Sequence, residues 1–147
     1  LSDGLSSSEG IVVIGGLKSR LDYEPVIAKS YDYAKKTMKA EKIKPGKYTT
    51  ILDNDLTGTF CHEVVGHASE ADGVVLKDSI YSGKLGEKVS HDYVNIIDDP
   101  SIREFGYFKI DDEGVKAKRV DIIKNGVLND FMNSRETSQK LKLKSNG

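Results

Sequence analysis

Cys61-His62-Glu63-Val64-Val65-Gly66-His67-Ala68-Ser69-Glu70 sets two of the chain's three histidines around a glutamate. The stretch otherwise reads as helix. Neutral imidazole is the commonest metal ligand in proteins. The spacing is H-E-x-x-x-H, one residue longer than the H-E-x-x-H of ordinary zinc proteases. At roughly 100° per residue, helical side chains four apart diverge by about 40°, whereas those five apart diverge by about 140°. Two ligands on opposite flanks cannot grip one ion. The spacing therefore predicts a local π turn, in which one turn takes in five residues; such turns gather at functional sites. Gly66 is expected to ease that distortion, having no side chain to clash. On this reading His62 and His67 hold a divalent metal, zinc by donor type, and Glu63 is the general base acting on a metal-bound water. The alternative on spacing alone is two unrelated histidines on a regular helix, one buried and one exposed.

Working outward, residues 48–53 (Tyr48-Thr49-Thr50-Ile51-Leu52-Asp53) are β-branched and aromatic and read as a strand leading into this helix. Thr57 or Thr59 is the expected cap. Leu56, Phe60 and Val64 form its expected packing stripe. Further upstream, residues 22–40 are the clearest helix. Pro25 suits a first turn, Glu24 suits the positive end of the dipole, and Ile27, Tyr31, Ala34 and Met38 share a face. Its lysines, with Lys42, Lys44 and Lys47, make a basic run that reads as a solvated face. Lys44-Pro45-Gly46-Lys47 is a turn. Residues 1–9 read as a loop or edge segment. Ile11-Val12-Val13-Ile14 reads as a buried strand, and Gly15-Gly16 as a turn, since no phosphate-loop pattern accompanies it.

Downstream, residues 69–92 lack periodicity and read as a long loop. Strands are expected at 93–98, 107–111, 115–123 and 127–132, with Asn125-Gly126 as a type I′ hairpin turn. Acidic turns at Asp98-Asp99-Pro100 and Asp111-Asp112-Glu113-Gly114 lack the calcium-loop pattern and read as turn chemistry. A helix is expected from Ser134 to Leu141, followed by a basic tail. Together these give an α+β fold: an antiparallel or mixed sheet with two main helices, one carrying the H-E-x-x-x-H motif.

The 147 residues suffice for one domain with a core, with 37% hydrophobic and 31% charged residues. The 22 basic and 23 acidic side chains nearly cancel, which gives no general argument for nucleic acid or an anionic membrane. The single cysteine excludes an intrachain disulfide and fits a reducing, cytoplasmic compartment. No apolar run approaches the roughly 18 residues of a membrane span. The chain starts at Leu1 in what reads as mid-domain sequence, so a fragment of a larger two-domain protein is expected.

The residues carry more than spacing. Leu52-Asp53, Gly58, the motif itself, Glu70 and Asp72 resemble the core of the TldD/PmbA family, on its TldD side. The match continues through residues 82–87, 111–115 and 125–128, and upstream through Gly15-Gly16 and Tyr23-Glu24, so it covers most of the chain. The resemblance implies that residues 1–147 are a central segment of a zinc-dependent peptidase acting on peptides or unfolded polypeptides. It implies His62 and His67 as zinc ligands and Glu63 as the catalytic glutamate. The third ligand is a cysteine in the family's C-terminal portion, beyond this chain, and Cys61 does not align with it. A fragment with two ligands is expected to be inactive alone, holding zinc poorly or recruiting Glu70, His91 or a neighbouring chain. A homodimer, or a heterodimer with a PmbA-like subunit that lacks the motif, is implied. The rival readings are a nucleic-acid-linked regulator, suggested by the family's gyrase-modulator label and the lysine run, and a non-catalytic partner subunit. No membrane association is expected, and no nucleic acid.

Overall fold

The computed structural model describes residues 22–147. The loop, strand and glycine turn expected within residues 1–16 lie outside the described residues. The chain divides into two compact units, Leu1–Thr50 and Ile51–Gly147.

In the first unit, α1 spans Glu24–Met38, with Pro25 in its first turn and Glu24 at its positive end. Asp22 Oδ1 accepts the Glu24 N–H at 3.2 Å, satisfying one of the free amides at the helix start. Of the expected stripe, Ile27, Tyr31 and Met38 are exposed and only Ala34 is half-buried, in company with Val26 and Ser30. The lysines behave as a solvated face. Lys36 pairs with Asp32 at 2.6 Å, and Lys29, Lys35 and Lys36 lie over the rings of Tyr33, Tyr31 and Tyr33. At the 44–47 turn, the Tyr48 hydroxyl donates to the Lys44 carbonyl at 2.7 Å.

Residues 48–53 form no strand with any described residue, contrary to the reading from β-propensity. Propensity describes how a residue fits a paired, half-covered surface, and Ile51 here is fully exposed. The segment ends at Asp53, which caps α2 (Asn54–Cys61) by accepting the Leu56 N–H at 2.8 Å. The helix thus starts earlier than a Thr57 or Thr59 cap would allow. Thr59 sits inside it, donating to the Asp55 carbonyl. Then follow the π turn His62–Gly66, a 3₁₀ turn His67–Ser69 and α3 (Ala71–Leu76). α3 occupies part of the span read as loop; six residues are too few for helical periodicity to show.

The second unit's sheet has three antiparallel strands in the order β1 (Ile96–Asp98), β2 (Val120–Lys124), β3 (Val127–Leu128). Asn125 and Gly126 both have positive φ, 49° and 78°, as a type I′ turn requires. The expected strand at 107–111 shrinks to one bridge, Ile110 to Lys116. Asp111 closes that turn instead, its Oδ1 accepting the Glu113 and Val115 N–H groups. Helix α4 (Arg135–Leu141) begins at a Ser134–Thr137 capping box. Glu113 adds a second cap by accepting the Arg135 N–H at 2.8 Å.

The core of this unit joins Val65, Ala71, Val74 and Tyr81 to Val120, Ile122, Ile123, Leu128 and Phe131. Burial of each large aliphatic side chain here stabilises by about 1.5–3 kcal/mol. Val65 is the buried member of the π turn, so the core grips the H-E-x-x-x-H segment directly. The stripe expected to pack, Leu56, Phe60 and Val64, is instead exposed. The buried residues of the segment are Val65 and Ser69. Leu141 at the end of α4 and Leu143 just beyond it lean on the core while Lys142 and Lys144 stay exposed. Asn146 then accepts the Asn133 N–H and donates to the Phe131 carbonyl, so the basic tail is tied to the body.

Candidate metal centre

The π turn forms where the spacing requires it. The His67 N–H donates to the His62 carbonyl, five residues back, and the turn's extra residue carries His67 round to the flank of His62. The two imidazole centroids lie 4.6 Å apart, edge to face at 73°. Glu63 joins them: its Oε2 is 3.8 Å from His67 Nε2. One ligand atom from each of His62, Glu63 and His67 lies within 4.8 Å of the others, the one such cluster of three among the described residues. All three side chains are exposed.

Two features hold this geometry. The Ser69 hydroxyl, fully buried, is shared between the carbonyls of Val65 and Gly66 at 2.6 and 2.9 Å. These are the last two residues of the π turn, so a side chain braces the backbone where the winding changes. The Ser69 carbonyl in turn accepts the Met132 N–H, and the Met132 carbonyl accepts the Ala71 N–H, both at 3.0 Å. That parallel bridge fastens the end of the motif to the strand segment after β3. Gly66 contributes less than expected. Its φ of −53° is ordinary, and a Cβ there would meet the Cys61 carbonyl at 3.7 Å, plain van der Waals contact. A glycine is not sterically demanded.

Glu70 lies beside the cluster, its Oε1 2.9 Å from His67 Nδ1. Cys61 is half-buried and outside the cluster. His91 is exposed, stacks on Tyr93 at 4.7 Å and takes no part in it.

Of the cluster, His62 lines a cleft of about 670 Å³, together with Glu70, Asp98, Phe108 and Met132 among others. Asp98, which the sequence reading treated only as a strand end, lines this cleft. Burial, with the Asp99 charge beside it, holds its carboxyl above the usual carboxylate range. Asp99 goes the other way: the Ser101 hydroxyl and N–H hold it low. The signal for Asp98 was period-two alternation, which puts it on the same side of β1 as Ile96. Ser69 carried no comparable signal, because a serine after a helical motif reads equally well as an exposed loop residue.

Two imidazoles with a carboxylate beside them fit a divalent metal of borderline softness. The ligand atoms of all three lie within 4.8 Å of one another and their side chains are exposed, so they have room to close on an ion.

Residues 45–147 match the family described as PmbA/TldA metallopeptidase C-terminal domain. A metalloprotease from Methanothermobacter thermautotrophicus is 41% identical over 99% of this chain and 33% of its own. A zinc metalloprotease TldD homolog from Saccharolobus solfataricus is 32% identical over 92% of this chain and 34% of its own. A solved structure from Thermotoga maritima, named for modulation of a DNA gyrase, superposes with a TM-score of 0.67 at 28% identity, covering 86% of this chain and 30% of that one. The chain spans about a third of the length of the curated relatives it matches. No helix among the described residues is long and apolar enough to cross a membrane. By the extent of the family match, the chain belongs to the PmbA/TldD metallopeptidases.

Proposed function

We propose that this chain carries the metal-binding and catalytic face of a zinc-dependent peptidase that cleaves peptides or unfolded polypeptides. The observation that supports it is the convergence of His62 and His67 across the π turn with Glu63 between them. His62 and His67 are the proposed ligands. A third ligand from elsewhere in the full-length protein would complete a three-ligand catalytic site, since no further histidine or cysteine among the described residues joins the cluster.

Zinc, when bound, supplies Lewis acidity, polarising a scissile carbonyl and bringing the pKa of a water towards about 7. Glu63 does the proton work. Its exposed carboxylate lies 3.8 Å from His67 Nε2, where it can take a proton from the attacking water and return it to the leaving amine nitrogen. The cleft beside His62 gives the substrate chain a place to lie, with apolar walls from Ile96, Phe108 and Met132. The working protein is proposed to be a dimer, either of this chain or with a related subunit lacking the motif.

The test is peptide cleavage by full-length protein. Chelation should abolish it, and Glu63→Ala should lower kcat by about 10²- to 10⁴-fold while metal content stays unchanged. Cleavage that survives Glu63→Ala removes Glu63 as the base.

A further inference from the structure

We propose that Glu70 is the positioning residue for His67: its carboxylate accepts the Nδ1 proton and so presents Nε2, with its lone pair, to the metal. The proposal rests on the zinc reading of His62 and His67 and deepens it.

The ring has two nitrogens, and a neutral imidazole carries its proton on one of them. Glu70 Oε1 stands 2.9 Å from Nδ1. A carboxylate oxygen at that distance pairs with an Nδ1–H, and the neutral tautomer with its proton on Nδ1 is the one in which Nε2 keeps its lone pair. Nε2 is the atom on the Glu63 side of the ring. The two carboxylates thus divide the imidazole between them: Glu70 holds the back, and Glu63 shares the working face. Such a carboxylate behind a ligating histidine fixes both tautomer and ring plane, and it makes the free nitrogen a stronger donor.

The backbone under Glu70 is placed for this. The 3₁₀ turn His67–Ser69 tightens the helix by one step, which brings residue 70 over residue 67. Glu70 then leaves the turn in extended conformation, φ −64° and ψ 120°. On either side it is pinned, through the Ser69 carbonyl and the Ala71 N–H, to Met132. The carboxylate therefore starts from a fixed point. Its place behind the ring also separates it from the ligand set, because an oxygen at Nδ1 cannot reach an ion held at Nε2 of the same imidazole. Glu70 accordingly falls outside the cluster formed by His62, Glu63 and His67.

The experiment is competition titration of apo full-length protein with Zn²⁺ and with Co²⁺, whose visible spectrum reports the ligand set. Glu70→Ala is expected to weaken binding of both ions by about 10- to 100-fold, with the cobalt band pattern unchanged. Glu70→Gln, whose amide oxygen can still accept from Nδ1–H, is expected to recover part of that loss. The side chain is half exposed, so both variants should keep the wild-type circular dichroism. Glu70→Ala binding as tightly as wild type would overturn the proposal. So would a cobalt spectrum in Glu70→Ala showing one ligand fewer, which would make Glu70 a ligand itself. Wild-type protein that takes up neither ion would instead refute the zinc reading on which this one stands.

Discussion

The backbone N–H of His67 reaches the carbonyl of His62, and their rings stand 4.6 Å apart. A regular helix would have turned those rings about 140° from each other. One altered hydrogen bond therefore converts a spacing unfit for chelation into a two-imidazole site. Such a winding persists only where its surroundings over-determine it, and here they are Val65 in the core and the Ser69 hydroxyl on the Val65 and Gly66 carbonyls.

Ser69→Ala tests the brace. Removing a fully buried hydroxyl from two carbonyls should cost about 1–3 kcal/mol in chemical denaturation. It should also weaken metal uptake, because the π turn loses the group that spans its end. Loss of stability with metal affinity intact would show that Ser69 supports the core and not the winding.

Two glycines should respond in opposite ways. Gly66→Ala meets only van der Waals contact at an ordinary φ, so stability should hold or rise by about 0.4–1 kcal/mol through the unfolded chain. Gly126→Ala forces a side chain into φ 78° and places Cβ 2.5 Å from the Ser90 carbonyl oxygen, so it should cost about 2 kcal/mol or more. Urea midpoints of the two variants decide the point.

Asp98 gives a pH signature. Burial raises its folded-state pKa above the unfolded value of about 3.9. The folded chain therefore holds that proton more tightly than the unfolded one. The associated stability is fully present below the unfolded value and is lost as pH rises through the raised folded value. Asp98→Asn, which lacks this loss, should melt higher than wild type at pH 7. The advantage should fade towards pH 3. An equal difference in Tm at both pH values would show that the carboxyl's ionisation is not what costs stability.

Much of this was legible in the residues. The π turn followed from arithmetic on two histidines, the hairpin from Asn125-Gly126, and the start of α4 from Ser134. What escaped was whatever depends on partners distant in sequence. Residues 48–53 have a strand's composition but no described strand beside them. Leu56, Phe60 and Val64 make a regular stripe, yet the buried positions are Val65 and Ser69. The site itself showed the same division. His62, Glu63 and His67 stood out by type and spacing, whereas Ser69 and Asp98 gain meaning only from the carbonyls and the cleft they face. Glu70 was visible as a carboxylate three residues on, but the 3₁₀ turn that aims it at Nδ1 has no sequence mark.

The most direct test is anomalous scattering at the zinc edge from crystals of full-length protein. The account predicts a peak within about 2.1 Å of one nitrogen from each of His62 and His67, with the His67 N–H still on the His62 carbonyl. A zinc bound to only one of these imidazoles, or found elsewhere while residues 62–67 wind as regular α-helix, would contradict it.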